Sequence, residues 1–262
     1  MPILPTVLAD PEVVAAVVAE RVLDAIRRTA DEGRAFVLGC PTGRTPAPVY
    51  RELATLCTRT RTDLDHLVVA LMDDYVLPDG DGYRAVPEDR SYSCVGYAQR
   101  VILGPLIEAS AATGAAAPRT LWHADPANPA TYDEQLADAG GIDLFLLASG
   151  ASDGHVAFNP PGSDRGSTTR IVTLSDDTRR DNMTTFPDFR TLEQVPRHGL
   201  TVGISTIVDR SRELVMIVTG ADKTTAFRRL TAAQRYEPDW PATAFVEGRR
   251  TSLYADRAAA GL

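Results

Sequence analysis

The sequence predicts an α/β fold, a mainly parallel sheet with helices on both faces, from two observations. Short, uninterrupted apolar runs recur along the chain, and amphipathic segments with helical spacing separate them. No internal repeat, low-complexity tract or linker interrupts this alternation, so a single domain over residues 1–262 is expected.

The first helix is expected over residues 11–30, where VVAAVVAERVLDAIRRTA puts apolar side chains on one face and Glu20, Arg21, Asp24 and Arg27 on the other. Asp10 stands at the capping position, with Pro11 first in the helix. The run AFVLG (35–39) suits a buried strand, and the loop at 40–46 leads into a helix through about Leu56. HLVVALM (66–72) reads as the next strand, ending abruptly at Asp73-Asp74. A helix at 91–107 and a small-residue connector at 109–118 follow, then a third buried strand, IDLFLLA (142–148). The reading continues with a short strand at 170–174, a helix starting within 201–208, the strand LVMIVT (214–219), a helix at 221–233 and a last strand at 252–255. Residues 240–256 read as a closing segment over the sheet, with Trp240 and Phe245 in the core.

The bulk numbers exclude several classes. A net charge of -8 argues against a general nucleic-acid binder, which needs a basic surface. No apolar stretch approaches bilayer length, so no membrane partner is expected. Met1-Pro2-Ile3-Leu4-Pro5 lacks the basic stretch and long apolar run of a signal peptide. Cys40, Cys57 and Cys94 have neither metal-ligand spacing nor the density of a disulfide scaffold, and a reducing, cytoplasmic setting is expected. Of the 27 basic residues only Lys223 is lysine. It is either a chance survivor of an arginine bias or holds a task that needs a compact ammonium.

Ligands of such sheets bind outside the carboxyl ends of the strands, which directs attention to four loops. In Gly39-Cys40-Pro41-Thr42-Gly43-Arg44-Thr45-Pro46, a glycine, hydroxyls and a following helix start suit an anion, although the Walker A ending is absent. Asp73-Asp74 supplies two carboxylates after a buried strand, one of them a candidate general base. Asp153-Gly154-His155 can bring imidazole and carboxylate to one pocket. In Val218-Thr219-Gly220-Ala221-Asp222-Lys223 the sole lysine falls in the first turn of the expected helix, as a point charge for phosphate. Each loop alone also fits an ordinary turn, a capping aspartate or a satisfied histidine.

Together and in this order, LGCPTGRTPAPVYREL, MDDYV with the later SYSCVGY, IDLFLLASGASDGHVAFNPPGS, LTVGISTIVD and VTGADK resemble the glucosamine-6-phosphate deaminase/isomerase family, and more distantly its relative 6-phosphogluconolactonase. The resemblance implies a Rossmann-like sheet of the deaminase/lactonase type. It also implies a reaction that opens a sugar-phosphate ring, moves a proton between C1 and C2 and releases ammonia, with no metal or organic cofactor. On that resemblance Asp73 is the base that shuttles the proton, and His155, oriented by Asp153, is the acid/base group for ring opening. Gly43, Arg44, Thr45 and Lys223 form the phosphate site, and Asn159 joins them in holding substrate. The expected partner is a small, phosphorylated sugar; a homo-oligomer is compatible with the sequence.

Two positions depart from the family. Where the deaminases read A-F-N-E-P-G, this chain has Pro160, which can neither accept a proton nor orient imidazole. Where they read N-S-R-F-F, with the arginine on the phosphate, this chain has Thr184; Arg44 is placed to compensate from another direction. Three readings therefore stand. They are an aminosugar-phosphate deaminase/isomerase, a sugar lactonase (those relatives lack the glutamate) and a non-catalytic sugar-phosphate binder, against which Asp73, Asp153, His155 and Lys223 argue.

Overall fold

Each apolar run forms a strand that sends alternate side chains to opposite faces, and both faces are covered. In the strand Phe36–Cys40, Phe36, Leu38 and Cys40 enter one core while Val37 enters the other. Val215 and Ile217 likewise face one way, and Leu214, Met216 and Val218 the other. The structure, a computed structural model, describes residues 3–186 and 188–262. Met1 and Pro2, the first residues of the stretch read for a leader, lie outside the described residues.

The chain opens with β1 (Thr6–Leu8), α1 (Pro11–Asp31), β2 (Phe36–Cys40), α2 (Ala47–Thr60) and β3 (Leu67–Leu71). It continues through β4 (Asp73–Asp79), β5 (Gly82–Ala85), α3 (Cys94–Tyr97), a π-helical stretch (Ala98–Leu103), α4 (Gly104–Thr113), β6 (Thr120–Trp122) and α5 (Ala130–Asp138). Then come β7 (Leu144–Ala148), β8 (Arg170–Thr173), α6 (Asp176–Thr185), β9 (His198–Thr201) and α7 (Ile204–Asp209). β10 (Leu214–Val218), α8 (Thr224–Ala232), β11 (Thr251–Asp256) and α9 (Arg257–Ala260) end it.

The main sheet has the order β1-β11-β10-β7-β2-β3-β6, with every pair parallel. Helices α1, α2 and α4 cover one face, and α5, α7, α8 and the 3-10 segment Pro241–Glu247 cover the other. Phe245 is fully buried there and Trp240 nearly so, as expected. From β2 the chain runs outward to β3 and β6, then returns to β7 on the opposite side of β2 and runs toward β10 and β11. The loops after β2 and β7 therefore diverge, and a crevice opens between them at this switch point.

Several elements differ from the expectation. Asp73 and Asp74 do not end in a loop: the chain passes through Met72 straight into β4, part of a four-stranded antiparallel sheet of order β5-β4-β9-β8. Thr201 ends strand β9, and the helix expected to start there begins at Ile204. The helix expected at 91–107 runs to Thr113 and widens to a π-helix before Gly104-Pro105, where the Gly104 N–H reaches back to Gln99 O. Pro105 supplies no N–H and crowds the preceding turn, so the wider turn relieves the conflict. Lys223 stands in a 3-10 turn, Ala221–Lys223, just before α8.

Candidate active site

Loops from four strand ends and the helix α6 surround an open cleft of about 820 Å³. Its size suits a small ligand. Of the residues singled out in the sequence, Gly43, Arg44, Thr45, Asp73, His155 and Lys223 line it. Asp153 lies directly behind His155.

The loop after β2 is fixed from both sides: Tyr50 Oη donates to Pro41 O at 2.7 Å, and Tyr97 Oη to Gly43 O at 2.7 Å. Gly43 holds φ 101°, a conformation that only glycine adopts without strain. The start of α2 has no side-chain cap and no acid in its first turn, which leaves its positive end unneutralised. Arg44 projects exposed at the rim. Opposite, Lys223 Nζ donates to Ser149 O at 2.8 Å. Burial lowers its pKa; Asp222, Asp181 and Asp153 act against that, while Arg44 reinforces it.

The Asp153 carboxylate is 7% exposed and accepts from His155 Nδ1 (2.7 Å), Ser175 Oγ (2.6 Å) and Thr178 Oγ1 (2.7 Å). Burial works to raise its pKa, but these hydrogen bonds and the imidazole charge hold it well below the usual carboxylate range. Because an ionised carboxylate only accepts, Nδ1 carries the proton and Nε2 is free for the cleft.

Asp73 lines the same cleft, whereas Asp74 lies outside its lining. Asp74 is buried and takes three backbone donors, Tyr75 N (2.7 Å), Cys94 N (2.9 Å) and Val95 N (3.2 Å). Burial pushes its pKa up and these donors pull it back. Asp73 has one weak donor, the Cys94 thiol, at 3.7 Å. Burial and the neighbouring Asp74 push the Asp73 carboxyl up to about 7, against the pull of His155 and Cys94. Of the two, Asp73 is the one poised to exchange a proton near neutral pH.

Asn159 corrects the expectation. It is 0% exposed and does not line the cleft. Its amide donates to Val156 O (3.1 Å) and Val202 O (2.8 Å) and its Oδ1 accepts from Arg170 (3.0 Å), so both ends are spent joining the loop after β7 to the second sheet. Pro160, next to it, also lies outside the cleft lining, whereas Thr184 is on it.

Sequence reasoning missed the contribution of α6. It sends Thr178 to Asp153 and places Asp181 in the cleft, where its carboxylate accepts from Ser152 Oγ at 2.8 Å and Ala151 N at 3.3 Å. Ser175 followed by Asp176-Asp177 was the available signal for this helix start, a capping hydroxyl with acids in the first turn; the Ser175 side-chain cap is present. Asp153, His155 and Asp181 each bring a ligating atom within 4.8 Å of the others. The hydrogen bonds of Asp153 and Asp181 account for the cluster without an ion.

A parallel sheet with an open polar cleft at its carboxyl edge defines the class, an α/β protein of the kind that handles small molecules. The profile of the family described as glucosamine-6-phosphate isomerases/6-phosphogluconolactonase matches residues 9–254. The chain is 34% identical over 257 residues to a glucosamine-6-phosphate deaminase of Beutenbergia cavernae, covering 97% of this chain and 90% of that one. It is equally similar, with the same coverage, to one of Mycolicibacterium smegmatis. Among solved structures, a monomeric glucosamine-6-phosphate deaminase superposes with TM-score 0.83 at 24% identity over 100% of both chains. The 6-phosphogluconolactonase of Leishmania guyanensis superposes with TM-score 0.69 at 17% identity, over 99% of this chain and 98% of that one. The chain belongs to the glucosamine-6-phosphate isomerase/6-phosphogluconolactonase family. Among the described residues no helix is long and apolar enough to cross a membrane.

Proposed function

We propose that this protein is an aldose–ketose isomerase/deaminase acting on an aminosugar phosphate such as glucosamine 6-phosphate. The observation that carries the reading is the facing of two unlike proton-handling groups across one cleft: Asp73, pushed up to about 7, and His155, backed by the ionised Asp153. In the reaction His155 passes the proton that opens the ring. Asp73 takes the proton from C2 and returns it at C1, and water then releases the amine as ammonia. Arg44, Lys223, Gly43 and Thr45, with the start of α2, hold the phosphate. His155 takes its orientation from Asp153 and Thr178, which is how the site dispenses with a glutamate at Pro160. On this reading the chain works in the cytoplasm as one domain.

The test is ammonia release from glucosamine 6-phosphate. Because Asp73 must be ionised to act as base, kcat/KM is expected to fall as pH drops through about 7 and to level off above it. A folded protein that releases no ammonia at any pH rejects the reading. Hydrolysis of 6-phosphogluconolactone by the same preparation would instead favour the lactonase reading, which Pro160 supports.

Arg44→Ala is expected to raise KM for the phosphorylated sugar about tenfold with little change in kcat, the loss of one charge-assisted contact at an exposed rim. Adding Thr184→Arg, from the end of α6 that also lines the cleft, should recover most of it. An unchanged KM in Arg44→Ala would remove this residue from the phosphate site.

A further inference from the structure

We propose that Cys94 is a positioning residue for the Asp73 carboxyl, the middle member of a hydrogen-bond relay that runs from Thr42 through the thiol to Asp73. The thiol is buried and on the cleft wall, with Sγ 3.3 Å from Thr42 Oγ1 and 3.7 Å from Asp73 Oδ1. The backbone of the same residue and of the next one binds the second acid, since the N–H groups of Cys94 and Val95 both donate to Asp74. One short segment at the start of α3 therefore holds both carboxyls, Asp74 through the backbone and Asp73 through sulfur.

The direction of the relay follows from counting protons. Burial and the two nearby aspartates hold the thiol pKa well above its usual value, so sulfur keeps its single proton. An ionised Asp73 can only accept, so that proton points to Oδ1, and Thr42 Oγ1 must donate to sulfur. Thr42 belongs to the loop after β2, which supplies the anion-holding residues of the proposed function. The relay thus ties that loop to the acid.

Other charged or titratable groups also face Asp73. They are Asp74 and Tyr75 from β4, Tyr50 from α2 and His155 from the loop after β7. Substitution at Cys94 replaces none of these side chains, and because the thiol also acts on Asp74, the Asp74 carboxyl is followed in the same titration as the internal reference.

The assignment of a catalytic consequence rests on Asp73 being the base, and the test separates the two ideas. The whole protein is prepared with Cys94→Ala, Cys94→Ser and Thr42→Val. Asp73 is titrated without substrate by 13C NMR of carboxyl-labelled aspartate, and kcat/KM for glucosamine 6-phosphate is followed against pH. A donor to the carboxylate favours its ionised form, so removing the donor raises the midpoint and strengthening it lowers the midpoint. The expected order is alanine highest, cysteine next and serine lowest, with steps on the order of half a pH unit. Thr42→Val should move in the alanine direction by less. A cysteine that merely fills space would lower the melting temperature in Ala and Ser without ordering the midpoints, and identical midpoints in folded variants overturn the proposal. Ordered NMR midpoints with an unmoved kinetic limb keep the relay and remove Asp73 as the base.

Discussion

Replacing Asp73 by asparagine should lower ammonia release from glucosamine 6-phosphate roughly 10²–10⁴-fold and, at pH 8, make the protein more stable. Asparagine keeps the shape and cannot take a proton. The stability gain follows from linkage. The folded-state pKa of Asp73, about 7, lies above the unfolded value, so the folded state holds its proton more tightly. Below the unfolded pKa both states are protonated and the acid costs nothing. Between that value and about 7 the unfolded chain ionises first, and stability falls as pH rises. Above about 7 the cost is complete. Its ceiling is about 4 kcal/mol for a shift of this size, and the partial access of Asp73 to the cleft reduces it to roughly 1–2 kcal/mol. Thermal melts should therefore show a gain of a few degrees at pH 8 that disappears near pH 4. Turnover within tenfold of the parent would dismiss Asp73 as the base; equal gains at both pH values would dismiss its raised pKa.

Gly154→Ala should cost about 3 kcal/mol or more and remove activity as well. Gly154 holds φ 68°, and a Cβ there would come within 2.2 Å of the Trp240 ring, which is itself packed in the core. Neither strain nor clash can be relieved without moving the peptide that joins Asp153 to His155. Gly162→Ala is the control: its φ of 88° is as unfavourable for alanine, but nothing lies within 4 Å of the added carbon. It should lose only about 1–2 kcal/mol, the cost of strain alone. If the two variants melt together, the contact with Trp240 is not what fixes Gly154.

The centre of the main sheet was legible because its strands are buried on both faces and written as continuous apolar runs, as in Leu67–Leu71 and Leu214–Val218, whereas the short, partly exposed edge strands β1 and β6 carry no such run and were missed. Of the second sheet only β8 was read, as the short strand at 170–174. β4 begins with two carboxylates, and Asp74 is buried only because backbone donors from α3 meet it, which no local pattern announces. Helix α6 escaped for the opposite reason: DDTRRDNMTT has no apolar stripe, and it is held by its Ser175 cap and by Arg179 donating to the Leu192 and Val195 carbonyls. The site followed the same division. Loops that end main-sheet strands delivered Gly43, Arg44, Thr45, His155 and Lys223 to the cleft. Asn159 was misread because motif position does not tell whether a side chain faces ligand or the neighbouring sheet. Thr178, Asp181 and Cys94 come from elements whose placement depends on tertiary packing.

Asp73 begins a strand of the antiparallel sheet, while His155 hangs from the end of a strand in the parallel one. The two sheets are the jaws of a caliper, joined near the cleft at Met72, whose carbonyl takes the N–H of Val202. Between the jaws lies an aromatic cluster of Tyr75, Phe158, Phe186 and Phe189, two of which, Phe158 and Phe186, reach the cleft wall. Trimming or thickening that cluster would reset the span across which a sugar's first two carbons must fit, with every cleft-lining acid, imidazole and cation left as it is.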